Sequence, residues 1–204
     1  MVKQVALFGT SADPPTRGHQ RIIQWLSCNF DHVAIWTADN PFKRHGSTLV
    51  QRFEMLKLLC QELGPQYSDR YGIYPELSHE RTIHTVNAAG SLWPDSTQFN
   101  LVIGADLGEQ IVTWYQAQEL LKLVKLVILP RPGHSLDPQT LTRIEALGGC
   151  YDLPQFEPIE AASSSYHQTK EVSLLTPRDR SLYQRPSSIQ LVNRITTATS
   201  ITMG

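Results

Sequence analysis

The residues with the clearest chemical potential lie together near the start of the chain. Residues 9–19 read Gly-Thr-Ser-Ala-Asp-Pro-Pro-Thr-Arg-Gly-His, directly after the apolar run Val5-Ala6-Leu7-Phe8 and directly before a segment of helical period. A strand that passes through such a loop into a helix is suited to handling phosphate. Gly9 lets the backbone turn and approach a ligand, and Gly18 and His19 open a helix whose free N–H groups and dipole favour an anion. His19 at that end can donate to a phosphate oxygen; taken by itself it serves equally as a cap or a surface residue. The loop contains neither G-x-x-x-x-G-K-[ST] nor G-x-G-x-x-G, which excludes a Walker P-loop and a dinucleotide fingerprint.

Further polar and aromatic residues follow later apolar runs. Asp106, two residues after Gly104, can accept from ribose hydroxyls or cap its own helix. Thr82 and Thr85 are three apart and share one face at a helix start, where hydroxyls and N–H groups can meet a carboxylate or act as ordinary caps. Trp114 offers a flat apolar surface for a planar ring, and taken by itself reads as core packing, whereas Trp25, Trp36 and Trp93 read as structural. Lys43 and Arg131 are loop cations fit for phosphate contacts or for solvent.

Short β-rich runs alternating with helical segments must position these residues. Strands are expected at residues 4–8, 32–37, 71–74, 99–103 and 126–129, and helices at 19–28 and 49–63, with weaker ones at 82–92, 106–112, 117–123 and 138–147. This predicts an α/β fold: a Rossmann-like doubly wound parallel sheet with helices on both faces, in a single domain. The domain is expected to span residues 1–184, followed by a Ser/Thr-rich tail, 185–204, that frays or adds a short closing element. In open α/β sheets ligands bind beyond the carboxyl ends of the strands, where the strand order reverses, so the loops after the strands are the place for chemistry.

Taken together, the loops resemble a known family. Thr16-Arg17-Gly18-His19 resembles the [H/T]-x-G-H signature of the nucleotidylyltransferase superfamily. Class I aminoacyl-tRNA synthetases share that signature but also need a K-M-S-K-S-like loop, which is not found here. Asn40-Pro41-Phe42-Lys43, then Arg52 and Met55, narrow the resemblance to the bacterial nicotinate-mononucleotide adenylyltransferases. Arg81-Thr82-Ile83-His84-Thr85-Val86, Ile103-Gly104-Ala105-Asp106, Trp114-Tyr115 and Arg131-Pro132-Gly133 continue it in the family's order, from about residue 4 to about residue 168.

The resemblance implies transfer of AMP from ATP to nicotinate mononucleotide. It assigns catalysis to His19 and Thr16, and ATP binding to Gly9, Thr10, Thr16, His19, Gly104, Asp106, Ser163 and Ser164. It assigns the mononucleotide to Ser11, Lys43, Thr82, Thr85, Trp114 and Arg131, and it implies Mg2+ carried on the ATP phosphates rather than by protein ligands. One departure stands out. The family's late I-S-S-x-x-x-R motif reads here Ala162-Ser163-Ser164-Ser165-Tyr166-His167-Gln168, with glutamine at the arginine position. Losing one cationic contact to developing charge costs about 3 to 4 kcal/mol, on the order of 100- to 1000-fold in rate. His167, Lys170, Arg178 and Arg180 are the nearby substitutes. The alternatives are transfer to nicotinamide mononucleotide or another phosphate acceptor, or a catalytically weak nucleotide-binding module.

Composition bounds the rest. Lys+Arg 18 against Asp+Glu 19 leaves a net charge of −1, so there is no positive field for a nucleic-acid coat. Three scattered cysteines, Cys28, Cys60 and Cys150, are read as free thiols in a reducing compartment. No apolar run suits a signal peptide or a membrane span, and the expectation is a cytoplasmic enzyme that binds ATP and a mononucleotide and neither nucleic acid nor membrane. Its few cations must therefore gather at the strand ends, with Lys43, Arg131 and Arg17 as candidates.

Overall fold

A computed structural model describes residues 3–40, 43, 45–157 and 172–178. Six strands form one sheet: β1 (Gln4–Thr10), β2 (His32–Thr37), β3 (Tyr71–Ile73), β4 (Gln98–Gly104), β5 (Lys125–Leu129) and β6 (Cys150–Asp152). Their spatial order is β3-β2-β1-β4-β5-β6 and every pairing is parallel. The helices are α1 (Arg17–Asn29), α2 (Leu49–Gln61), α3 (Thr82–Leu92), α4 (Ala105–Ile111), α5 (Ala117–Leu123) and α6 (Pro138–Ala146). Single 3-10 turns lie at Pro65–Tyr67, Pro75–Leu77 and Val172–Leu174.

The four inner strands, β2, β1, β4 and β5, are apolar on both faces, as a parallel sheet covered by helices requires. Side chains alternate across the sheet, so each of these strands feeds two cores. Val5, Leu7, Ala34, Trp36, Leu101, Ile103, Leu126 and Ile128 pack with Ile83, Val86 and Ala89 of α3, Ile111 of α4, Leu120 and Leu121 of α5 and Ile144 of α6. On the opposite face Ala6, Phe8, Val33, Ile35, Val102, Val127 and Leu129 meet Ile23 and Leu26 of α1 and Leu56, Leu59 and Cys60 of α2. The doubly wound expectation holds. The order reverses between β1 and β4, which are direct neighbours, so the loops leaving these two strands open the crevice where such folds bind ligands.

Several boundaries differ from those expected. β1 continues through Gly9 and Thr10, paired with Trp36 and Thr37 of β2, so Gly9 does not turn the chain. It is glycine for another reason: a Cβ there would lie 2.6 Å from the Trp36 indole ring. Helix α1 starts at Arg17 with Thr16 as its N-cap, two residues before the expected start, because Thr16 supplies the cap that lets the helix begin before Gly18. β6 was not anticipated: three residues with exposed Cys150 and Asp152 carry almost no apolar pattern. The tail from residue 185 lies outside the described residues.

Candidate active site

The β1–α1 loop turns its polar groups inward. Thr16 is fully buried; its backbone N–H donates to His19 Nδ1 at 3.1 Å, and its Oγ1 lies 2.9 Å from the same nitrogen. Because Nδ1 accepts the backbone bond, the neutral ring carries its proton on Nε2. Burial, then the nearby charges of Arg131 and Lys43, lower the His19 pKa from 6.5 to about 4. His19 is therefore a neutral N–H donor at pH 7, in the field of two cations that come from different loops.

Lys43, beyond β2, donates from Nζ to Ser11 Oγ at 3.1 Å. Thr10, next to Ser11, is 8% exposed and its Oγ1 accepts from the Ala12 N–H. Gly46 N–H donates to Asp13 Oδ2 at 2.7 Å, and His45 Nδ1 lies 3.6 Å from that oxygen. Beneath them Arg52 of α2, only 2% exposed, donates from Nη1 to the carbonyls of Ser11 and Ala38 at 3.0 and 2.8 Å. Sequence reasoning placed Arg52 in a motif and gave it no task. A signal was present: Arg52 sits on the i, i+3, i+4, i+7 stripe with Leu49, Phe53 and Leu56, where a charge is out of place unless it is bonded inside.

On the other side of the switch point, Gly104 is the N-cap of α4 and Asp106 lies in its first turn, so Asp106 is not the cap. Asp106 Oδ2 accepts from Arg131 Nη1 at 2.8 Å, while Oδ1 is buried without a hydrogen-bond partner. A Cβ on residue 104 would strike Oδ1, so glycine leaves room for the carboxylate to fold back. Both pairs of loops thus bring expected residues together: His19, Thr16, Ser11 and Lys43 in one cluster, Gly104, Asp106 and Arg131 in the other, and His19 senses charge from both.

The start of α3 is more divided. Thr82 is its first residue and partly buried. Thr85 is 1% exposed and its Oγ1 donates to the Leu77 carbonyl at 2.9 Å, so its hydroxyl proton is spent on the unanticipated 3-10 turn at Pro75–Leu77. Trp114 is partly buried and packs against the α3–α6 core. Its neighbour Tyr115 is 52% exposed; the Arg81 guanidinium lies 5.6 Å over that ring and the His84 ring 6.2 Å from it. Sequence reading overlooked Tyr115, Arg81 and His84 as a cluster because their proximity depends on the connection between α4 and α5 lying beside the start of α3.

Ser163, Ser164 and Gln168, with His167, Lys170 and Arg180, lie outside the described residues. Arg178 is described: its guanidinium donates to the Gln61 side chain and its backbone N–H to Glu62 Oε1 at 2.7 Å, at the end of α2. Among the described residues no group of three or more His, Cys, Asp or Glu side chains is arranged to hold a metal ion. No helix among them is long and apolar enough to cross a membrane.

Comparison with known proteins supports the same fold and chemistry. Residues 7–170 match the cytidylyltransferase-like family model. A Synechocystis protein named as a probable nicotinate-nucleotide adenylyltransferase is 39% identical over 194 residues, covering 89% of this chain and 96% of the relative. A Bacillus cereus protein of the same name is 28% identical over 194 residues, 89% of this chain and 95% of that one. Among solved structures, the Plasmodium falciparum nicotinic acid mononucleotide adenylyltransferase complexed with NaAD superposes with a TM-score of 0.69 at 18% identity, covering 95% of this chain and 96% of its own. That likeness carries the fold; the 39% identity and the family model carry the kinship. The chain belongs to the nicotinate-nucleotide adenylyltransferases, nucleotidyltransferases of the cytidylyltransferase-like family.

Proposed function

We propose that the protein joins ATP and nicotinate mononucleotide into nicotinate adenine dinucleotide. An oxygen of the mononucleotide phosphate attacks the α-phosphorus of ATP in line. The bond to the α,β-bridging oxygen breaks, and pyrophosphate leaves with the electron pair. No protein nucleophile is needed, so catalysis consists of positioning and charge stabilisation. The observation that carries this reading is the Thr16–His19 clasp at the start of α1: it fixes a neutral imidazole with its proton on Nε2, flanked electrostatically by Lys43 and Arg131.

In this reading Thr16 orients His19, whose Nε2–H meets charge building on the phosphoryl oxygens, and Gly9 and Thr10 line the phosphate path. Lys43, with Ser11, and Arg131 neutralise phosphates. The unpartnered Asp106 Oδ1 is ready for a ribose hydroxyl, with Gly104 giving it room. Ser163 and Ser164 are assigned to the triphosphate on the family motif alone. Thr82, Thr85 and Trp114 are assigned to the nicotinate end, and the Arg81–Tyr115–His84 rim beside Thr82 favours a carboxylated ring over its amide. Mg2+ carried on the ATP phosphates would supply charge neutralisation for the triphosphate. A cytoplasmic location belongs with this reading as a proposal.

The deciding measurement is pyrophosphate release with ATP against nicotinate mononucleotide and nicotinamide mononucleotide side by side. Turnover with the acid, exceeding the amide by about tenfold or more, is the expected result. Calorimetric binding of ATP with no pyrophosphate released from either would overturn it in favour of a nucleotide-binding module weakened at Gln168.

A further inference from the structure

Arg52 poses a question that the transfer reaction does not answer. Its guanidinium is almost wholly withdrawn from water, among the described residues it bonds to none of the groups assigned to substrate except the backbone of Ser11, and its Nε is buried with no hydrogen-bond partner. Such a group is a poor stabiliser, because well-packed apolar side chains of similar volume usually do as well or better than buried charge. What Arg52 does that an apolar residue cannot is bond two carbonyls at once. One belongs to Ser11 after β1 and the other to Ala38 after β2, so Nη1 fixes the separation of two loops that leave adjacent strands.

The consequence converges on one residue. Arg52 holds the Ser11 carbonyl while Lys43, from the second loop, holds the Ser11 hydroxyl. Asp13, whose charge lies in the field of Arg52, fastens the far end of the same loop through the Gly46 N–H. Lys43 is a long, flexible side chain and is exposed; without these anchors it has many positions open to it. We propose that Arg52 is a positioning residue for adenylyl transfer, acting at one remove by setting the two loops so that Lys43 is presented beside Ser11. The proposal rests on the transfer reading given above.

A double-mutant cycle tests it, with pyrophosphate release as the readout and Arg52→Met, Lys43→Met and the double variant as the proteins. If Arg52 works through Lys43, Arg52→Met lowers kcat/KM by about tenfold or more in the native background and by no more than about threefold once Lys43 is already Met. Thermal melts run beside the kinetics, and a Tm held near the native value while kcat/KM falls separates positioning from general unfolding. Should Arg52→Met not fold, Arg52→Lys enters the same cycle, since it keeps the charge and loses the paired geometry. Multiplicative losses in the double variant overturn the proposal. A native protein that releases no pyrophosphate at all overturns the transfer reading instead, so the two failures are distinct.

Discussion

The two loops that face each other across the switch point are held in opposite ways. On the β1 side the fastening is internal: Arg52 and Asp13 are 2% and 5% exposed and bond to backbone groups. On the β4 side a single ion pair joins Arg131 to Asp106, with side chains 41% and 23% exposed. An ion pair in that setting contributes about 0 to 1 kcal/mol, so an incoming phosphate can replace Asp106 as the partner of Arg131 at little cost. The buried side behaves as a fixed mould and the open side as an exchangeable contact. A site that must hold one anion rigidly and release another has use for both.

The largest expected effect comes from removing the group that both sides address. His19→Ala should keep the fold and lose turnover on the order of 100- to 1000-fold; unchanged turnover in the pyrophosphate assay would sink the mechanism. Next come the two glycines, one on each side. Gly9→Ala drives a methyl into the Trp36 ring and should cost about 1 to 3 kcal/mol in denaturant unfolding. Gly104→Ala meets only the end of the Asp106 side chain, which can swing away. That variant should retain stability within about 1 kcal/mol and show its loss in ATP affinity. Equal destabilisation of the two would erase the contrast between mould and exchangeable contact.

Smaller effects sharpen the electrostatic part. Arg131→Gln should lower kcat/KM by about tenfold and raise the His19 pKa, because Arg131 is one of the charges depressing it; histidine-resolved NMR titration reads this directly. In the native protein His19 should titrate near about 4, below its ordinary 6.5. Its folded pKa lies below its unfolded one, so its contribution to stability is complete above pH 6.5 and is lost as pH falls from 6.5 toward about 4. The smallest effect is on folding: Asp106→Asn should shift stability by less than about 1 kcal/mol.

Much of this arrangement was legible in the sequence, and the exceptions have physical causes. Strands such as residues 32–37 and the helix expected at 49–63, found at Leu49–Gln61, declared themselves because burial on both sheet faces leaves a continuous apolar run and packing on one face leaves a helical stripe. Asp106 and Arg131 were recognisable as neighbours of strand ends, but their bond to each other depends on β4 lying beside β5. Arg52 and Asp13 were the harder part, since a charged residue reads as surface until the fold supplies carbonyls and amides 41 and 33 positions away. Gly9 was chosen by a ring on the next strand, and no local spacing reports that contact.

Among the described residues the sheet ends in β3 and β6, of three residues each. Every longer strand lies between them, with both its edges already paired. Each terminal strand exposes too short a ladder to recruit a strand from another molecule. The central strands that carry the candidate site loops are therefore shielded from edge pairing, among the described residues, by the two shortest pieces of the sheet. Lengthening either edge with apolar residues should cost the protein its solubility before it costs the protein its activity.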